Sequence, residues 1–381
     1  MRTPILRSFS FAVVLAGCGA SATDPDAAPN GAHDAAVRMG VDAAHTGVDA
    51  AHDAATTPAT GPWVNATGNL ANMPSECGSV SGFAAKPDQD MLIVGVAQHG
   101  LWASTDGGQS WHPLGTGTGS DTITNRTVSF VFDPDHPSVF WESGIYNGGG
   151  VYRSDDDGVT FHALGDVHHD DVVSVDFTDP NRRVILAGGH EQSQTLHRSS
   201  DGGATWTNVG ANLPPSNFSS NPLVIDAMTH LVGCSGYASA PNGIFRTTDG
   251  GAHWTMASDV AASGAPLRAS DGAIYWPLIY GSGMVRSTDE GVTWEHLVDG
   301  GVVSGVHPIE LPDGRIATVG PHAIVVSSDH GVSWQAATES LPFGDAVGLA
   351  YSVQQHAFFV WHFDCGNNVL PDAIMRHDFV L

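Results

Sequence analysis

Positive charge is scarce in this sequence. Only 14 Lys and Arg stand against 40 Asp and Glu in 381 residues, for a formal net charge of −26. Lys86 is the single lysine. A chain with so few cations has little with which to displace phosphate counterions, which excludes nucleic acid as a partner. Long hydrophobic runs are lacking too. The apolar segment Phe9–Leu15 is far shorter than the roughly 20 residues needed to cross a bilayer as a helix. There is no GxSxG elbow, no phosphate-cradling Gly-rich loop, no HExxH pair and no CxxC pair, so none of the short motifs for those chemistries applies.

What is abundant is glycine, with 46 residues, and much of it falls in one recurring turn. The segments STDGGQSW (Ser104–Trp111), SDDDGVTF (Ser154–Phe161), SSDGGATW (Ser199–Trp206), TTDGGAHW (Thr247–Trp254), STDEGVTW (Ser287–Trp294) and SSDHGVSW (Ser327–Trp334) share Ser/Thr-x-Asp-x-Gly-x-x-aromatic. The hydroxyl and carboxylate suit backbone N–H groups inside a tight turn, and the Gly admits positive φ. The aromatic opens the next strand and buries its face. Short strands such as GGVYRS, QTLHRS, NGIFRT and SGMVRS precede the boxes. They carry Arg153, Arg198, Arg246 and Arg286 at one repeat position, as expected of surface residues of a repeat. The box aromatics recur every 40–50 residues, the period of four-stranded propeller blades. The pattern resembles the Asp-box (BNR) repeat, which implies an all-β fold: a single β-propeller.

Six boxes suit six blades, but the chain ends point to seven. AVGLAYS, HAFFVWHF and AIMRHDFVL supply three strands after the last box. The fourth is expected from Trp63–Leu70 (WVNATGNL), which matches the strands after two boxes, WTNVGANL and WQAATESL, with Leu seven residues after Trp. An N-terminal strand closing the last blade leaves no open edge. The propeller then occupies residues 62–381. The strand order of such rings puts Cys77 and Cys365 on one face of the closing blade, so a disulfide between them is expected in an oxidising compartment. Cys234 is left as a buried thiol.

The first 61 residues read differently. Arg2 and Arg7 precede the apolar run, which ends in LAGC, Leu15–Cys18. This resembles the lipobox of bacterial lipoproteins and implies a signal peptide over 1–17, with Cys18 lipidated. Residues 18–61 are Ala/Asp-rich with no apolar periodicity and read as a disordered tether. The resemblance implies a place in the cell envelope, at the outer membrane or cell surface rather than the inner membrane, and the chain is expected to be a monomer. Contact with the membrane is through the lipid alone.

For function, the loops on the face opposite the boxes matter most. GDVHHDD supplies His168, His169, Asp170 and Asp171, GGHEQ supplies His190 and Glu191, and Glu142 and Tyr146 sit at the matching place one blade earlier. Imidazoles with carboxylates are divalent-metal ligands, here His168, His169 and His190. Asp170, Glu191 and Glu142 are the acid and base candidates of a glycosidase. Tyr146, Tyr237 and Tyr280 are candidate ligand contacts. Among Asp-box propellers, sialidases are resembled only through the boxes, because the FRIP-like segment and arginine triad are missing. The segments DPDHPSVFWESGIYNGGGVYRSDDDG and DPNRRVILAGG are similar to repeats of xyloglucan-type glycoside hydrolases. In size the chain resembles the single-ring photosystem II assembly factors. Two readings follow: a non-catalytic lipoprotein whose propeller binds a protein or glycan, and a glycoside hydrolase or lyase acting on an extracellular polysaccharide.

Overall fold

The computed structural model describes residues 62–78, 80, 82–115, 123–215, 219–235, 242–262, 264–278, 283–297, 306–344, 346–366, 368–371 and 373–381. Residues 1–61, with Cys18, lie outside the described residues, as do Tyr237 and Tyr280. Among the described residues no helix is long and apolar enough to cross a membrane.

Short strands joined by tight turns pair with their sequence neighbours, and the result is seven four-stranded antiparallel sheets. Blade three is representative, with strands Asp170–Val175, Ile185–Gly189, Leu196–Ser199 and Thr207–Asn208 from the axis outward. Burial follows position in the blade. Second strands such as Leu92–Val96, Phe140–Ile145 and Ala357–Trp361 are buried at every residue, because both of their faces lie against neighbouring blades. That explains their near-continuous apolar sequence. The two-residue outer strands, such as Thr207–Asn208, are exposed. Among the described residues the buried apolar side chains form seven clusters, one at each interface between adjacent blades.

The ring is seven-bladed, and the six-bladed alternative falls. Val64–Asn65 forms the outermost strand of the last blade, pairing Val64 with Arg376 and Asn65 with Met375. The box is the turn between a blade's third and outer strands. The seventh blade takes those two strands from opposite ends of the chain, so it has no such turn and no box. Disulfide-bonded Cys77 and Cys365, together with the Pro74–Val369 bridge, fasten the same seam on the opposite face.

All six boxes are built alike. In the first, Ser104 Oγ accepts the backbone N–H groups of Asp106 (3.3 Å) and Gly108 (3.0 Å) and donates to Asp106 Oδ1 (2.8 Å). Asp106 then accepts both the N–H (2.9 Å) and the hydroxyl (2.5 Å) of Ser110. Those Ser110 bonds hold the Asp106 carboxyl at about 2, below the usual carboxylate range. The seventh box position therefore has a job: Ser110, Thr160, Thr205, His253, Thr293 and Ser333 all donate to the box Asp. The sequence pattern left that position open.

The boxes also join blades. Trp111, Trp206 and Trp254 donate from Nε1 to the carbonyls of Ala66 (3.0 Å), Leu164 (2.8 Å) and Val209 (3.0 Å), each just beyond the outer strand of the preceding blade. Two of the repeated arginines reach the other way. Arg246 donates to the Glu290 carbonyl (3.0 Å) and Arg286 to that of His330 (2.8 Å), both inside the next blade's box. Glu290 and His330 have φ of 57° and 59°, where boxes one, three and four place Gly107, Gly202 and Gly250. Buried Lys86 clamps blade one to blade two, donating to the Pro137 carbonyl and to Asp157, both at 2.7 Å.

Candidate functional site

The second-to-third-strand loops of blades two and three, with the connection between those blades, form one layer on the face opposite the boxes. Backbone bonds stitch them together. His169 N–H donates to the Gly149 carbonyl (3.0 Å), and His190 N–H donates to the His169 carbonyl (2.8 Å). Gln192 adds side-chain bonds to the carbonyls of His168 (3.2 Å) and His169 (3.3 Å). Tyr146, Asn147, His169 and Glu191 all have φ near +50° to +64°. Left-handed backbone at non-glycine residues costs energy that the surrounding structure must offset, and such residues cluster at functional sites.

These turns gather a polar group around the His190 ring. Its Nδ1 lies 2.9 Å from Asp171 Oδ1, and its Nε2 lies 3.1 Å from the Tyr146 hydroxyl. A carboxylate only accepts, so Nδ1 carries the proton and Nε2 presents its lone pair to the Tyr146 hydroxyl. Glu191 Oε1 stands 4.0 Å from Nε2. The His169 ring lies 4.7 Å from the Tyr146 ring and 5.0 Å from the His190 ring. Arg126 Cζ sits 5.0 Å from the centre of the Tyr146 ring, within cation–π range. Glu76 holds that guanidinium at 3.7 Å and accepts from Asn147 at 2.5 Å. The His190, Asp171 and Glu191 side chains keep 12%, 13% and 20% of their surface exposed, so the group opens to solvent at one side.

Not every expected residue joins it. Asp170 and Asp171 are neighbours on a strand and project to opposite sides. Asp170 points inward, fully buried, to His197 Nδ1 at 3.3 Å, and burial raises its pKa against the opposing effect of His197. Glu142 is also fully buried. Burial pushes its carboxyl up to about 8, against hydrogen bonds from Thr127 and Asn125. Neither carboxyl is exposed to a polymer chain. His168 is exposed and contributes its backbone carbonyl, while the group that could share a metal ion comprises His169, His190 and Glu191. The sequence reading passed over Arg126, Glu76 and Gln192. They come from an innermost strand, from the link that follows the closing strand, and from a loop, and no local pattern marks them.

The fold and comparisons with known proteins agree on the class: the chain is a BNR-type β-propeller. The BNR/Asp-box repeat model matches residues 102–113, the first box. A xyloglucanase from a Paenibacillus species is 26% identical over 259 residues, which is 58% of this chain but 25% of that protein. The chain thus matches only about a quarter of that relative's length. Among solved structures, YCF48 bound to D1 peptide superposes with a TM-score of 0.53 at 12% identity, covering 84% of this chain and 98% of that one. The GH74 xyloglucanase of Xanthomonas campestris gives 0.50 at 16% identity, covering 83% and 53%. At these identities the structures share the fold.

Proposed function

We propose that this chain is an envelope-anchored propeller that binds a glycan, without cleaving it, at the Tyr146–His169–His190 face. The supporting observation is the convergence there of a tyrosine, two imidazoles, two carboxylates and a guanidinium on a backbone held in left-handed turns. Such a set offers donors and acceptors to sugar hydroxyls beside partly apolar ring surface. Similarity to a xyloglucanase favours a glycan over a protein partner. The hydrolase reading is the weaker one, because two of its three carboxyls, Asp170 and Glu142, are shut inside the blades. The lipid anchor at Cys18 belongs to the same proposal.

A glycan-array screen of the full chain, followed by titration of the best ligand, tests the binding. Tyr146→Phe and Asp171→Asn are expected to weaken it at least tenfold with the melting temperature nearly unchanged. New reducing ends or unsaturated products appearing in proportion to the protein would overturn the non-catalytic reading, and unchanged affinity in both variants would displace the site. Labelling with a fatty-acid probe that survives Cys18→Ser would remove the anchor.

A further inference from the structure

We propose that His169, His190 and Glu191 bind a divalent transition-metal ion, with Asp171 as the outer partner of His190. The inference deepens the site of the proposed function and rests on the same loops. One nitrogen of each imidazole and one carboxylate oxygen all lie within 4.8 Å of one another. Three protein ligands leave further coordination positions for water or a bound ligand. Two imidazoles and one carboxylate favour Zn²⁺, Ni²⁺, Cu²⁺ or Fe²⁺ over the hard ions Ca²⁺ and Mg²⁺, which want oxygen throughout.

The surroundings fit that assignment. Metal-ligating histidines usually give their second ring N–H to a carboxylate, which fixes the tautomer and raises the basicity of the ligating nitrogen. Asp171 stands in that place, 2.9 Å from His190 Nδ1, so it is Nε2 that faces Glu191. Ligand atoms around a four-coordinate zinc at ~2.0–2.1 Å lie roughly 3.3 Å apart. The 4.0 Å between His190 Nε2 and Glu191 Oε1 closes to that spacing by a side-chain rotation, while the His169–His190 backbone bond holds the two turns in place. The Tyr146 hydroxyl, 3.1 Å from Nε2, gives up its bond to the incoming ion. Charge favours a cation, because Glu191 and Asp171 both sit against the His190 ring. The facing cation, Arg126, is held by Glu76.

The test is equilibrium dialysis of the chelator-treated full chain against Zn²⁺, with Co²⁺ absorption as a spectroscopic readout. The triple variant His33→Ala, His45→Ala, His52→Ala controls for the three histidines ahead of the propeller and is expected to bind as wild type does. One ion per chain is expected. His190→Gln should lose it, Glu191→Gln should weaken it by tenfold or more, and Asp171→Asn by about 10–100-fold. A low-symmetry Co²⁺ visible band should vanish in His190→Gln, while circular dichroism and melting in the metal-free state match the wild type. If His190→Gln unfolds, Glu191→Gln and Asp171→Asn, whose changes are isosteric, carry the test. Less than stoichiometric Zn²⁺ in the wild type, or equal affinity in wild type, Glu191→Gln and Asp171→Asn, overturns the proposal. Glycan titration in excess chelator separates the two readings. Glycan binding without metal binding sinks this inference alone, and metal binding without any glycan sinks the proposed function alone.

Discussion

Glu142 lies in the middle of a second strand, fully buried, with one carboxyl oxygen accepting from Asn125 at 3.3 Å. Burial raises its pKa from 4.5 to about 8, so the folded protein keeps this carboxyl protonated at neutral pH. The unfolded chain releases that proton above about 4.5. Between the two values the native state binds one proton more, so stability falls as pH rises, by ~1.36 kcal/mol per unit. Over the window from 4.5 to about 8 the loss is on the order of 5 kcal/mol. Glu142→Gln removes the titration and keeps the shape. Urea-unfolding midpoints of both proteins should be compared from pH 4.5 to 8.5, because the comparison cancels every other titrating group. One such group, buried His230 with its pKa lowered to about 4, changes stability in the opposite direction below pH 6.5. The variant should gain on the wild type steadily with pH and level off above 8. A constant difference across the range would show that Glu142 ionises normally and is reached by solvent.

Three further outcomes test the scaffold. Ser104→Ala strips the acceptor from the N–H groups of Asp106 and Gly108 and should cost about 1–3 kcal/mol in chemical denaturation; a neutral result would deny the box its structural role. Glu290→Gly keeps the carbonyl that accepts from Arg246 and relieves a non-glycine φ of 57°. It should raise stability by up to about 1 kcal/mol, and a lower midpoint would show that the side chain matters more than the backbone. The double change Cys77→Ser, Cys365→Ser removes a link spanning 288 residues and should cost about 2–5 kcal/mol, measured as a lower melting temperature. Indifference to that change would mean that strand pairing alone holds the seam.

The architecture was readable because each Asp box is a local instruction. Its Ser, Asp, Gly and seventh residue satisfy one another within eight residues, and the aromatic follows at a fixed place, so spacing alone announces the blades. The closing strand was readable for a related reason: Trp63–Leu70 repeats the pattern of the strands that follow the boxes, and Leu70 is buried as Leu213 is. The site was legible only in part. Histidines and carboxylates crowded into two loops named the neighbourhood, but alternation along a strand decides which of Asp170 and Asp171 faces His190. A register shift between Asp170 and Val173 makes that alternation hard to read from sequence. Glu142 misled because it stands close to Tyr146 in sequence, yet it lies mid-strand, where the blade on each side covers it. Arg126 and Glu76 are separated in the chain by the whole of blade one, so no local spacing links them before folding.

Closure of the last blade by Val64–Asn65 has a mechanical side. Any pull delivered through the residues ahead of Trp63 falls first on a two-residue strand. Its rungs to Arg376 and Met375 would break in succession, like a strip peeled from its end. Bonds from Ala66, Asn72 and Ser75 to the last blade yield next, and the first covalent hold along the chain is Cys77, fixed to Cys365. A molecule tugged from that side would shed this short lip, tearing the bonds that tie Trp111 of blade one to Ala66 and Asn69, and stop at the disulfide.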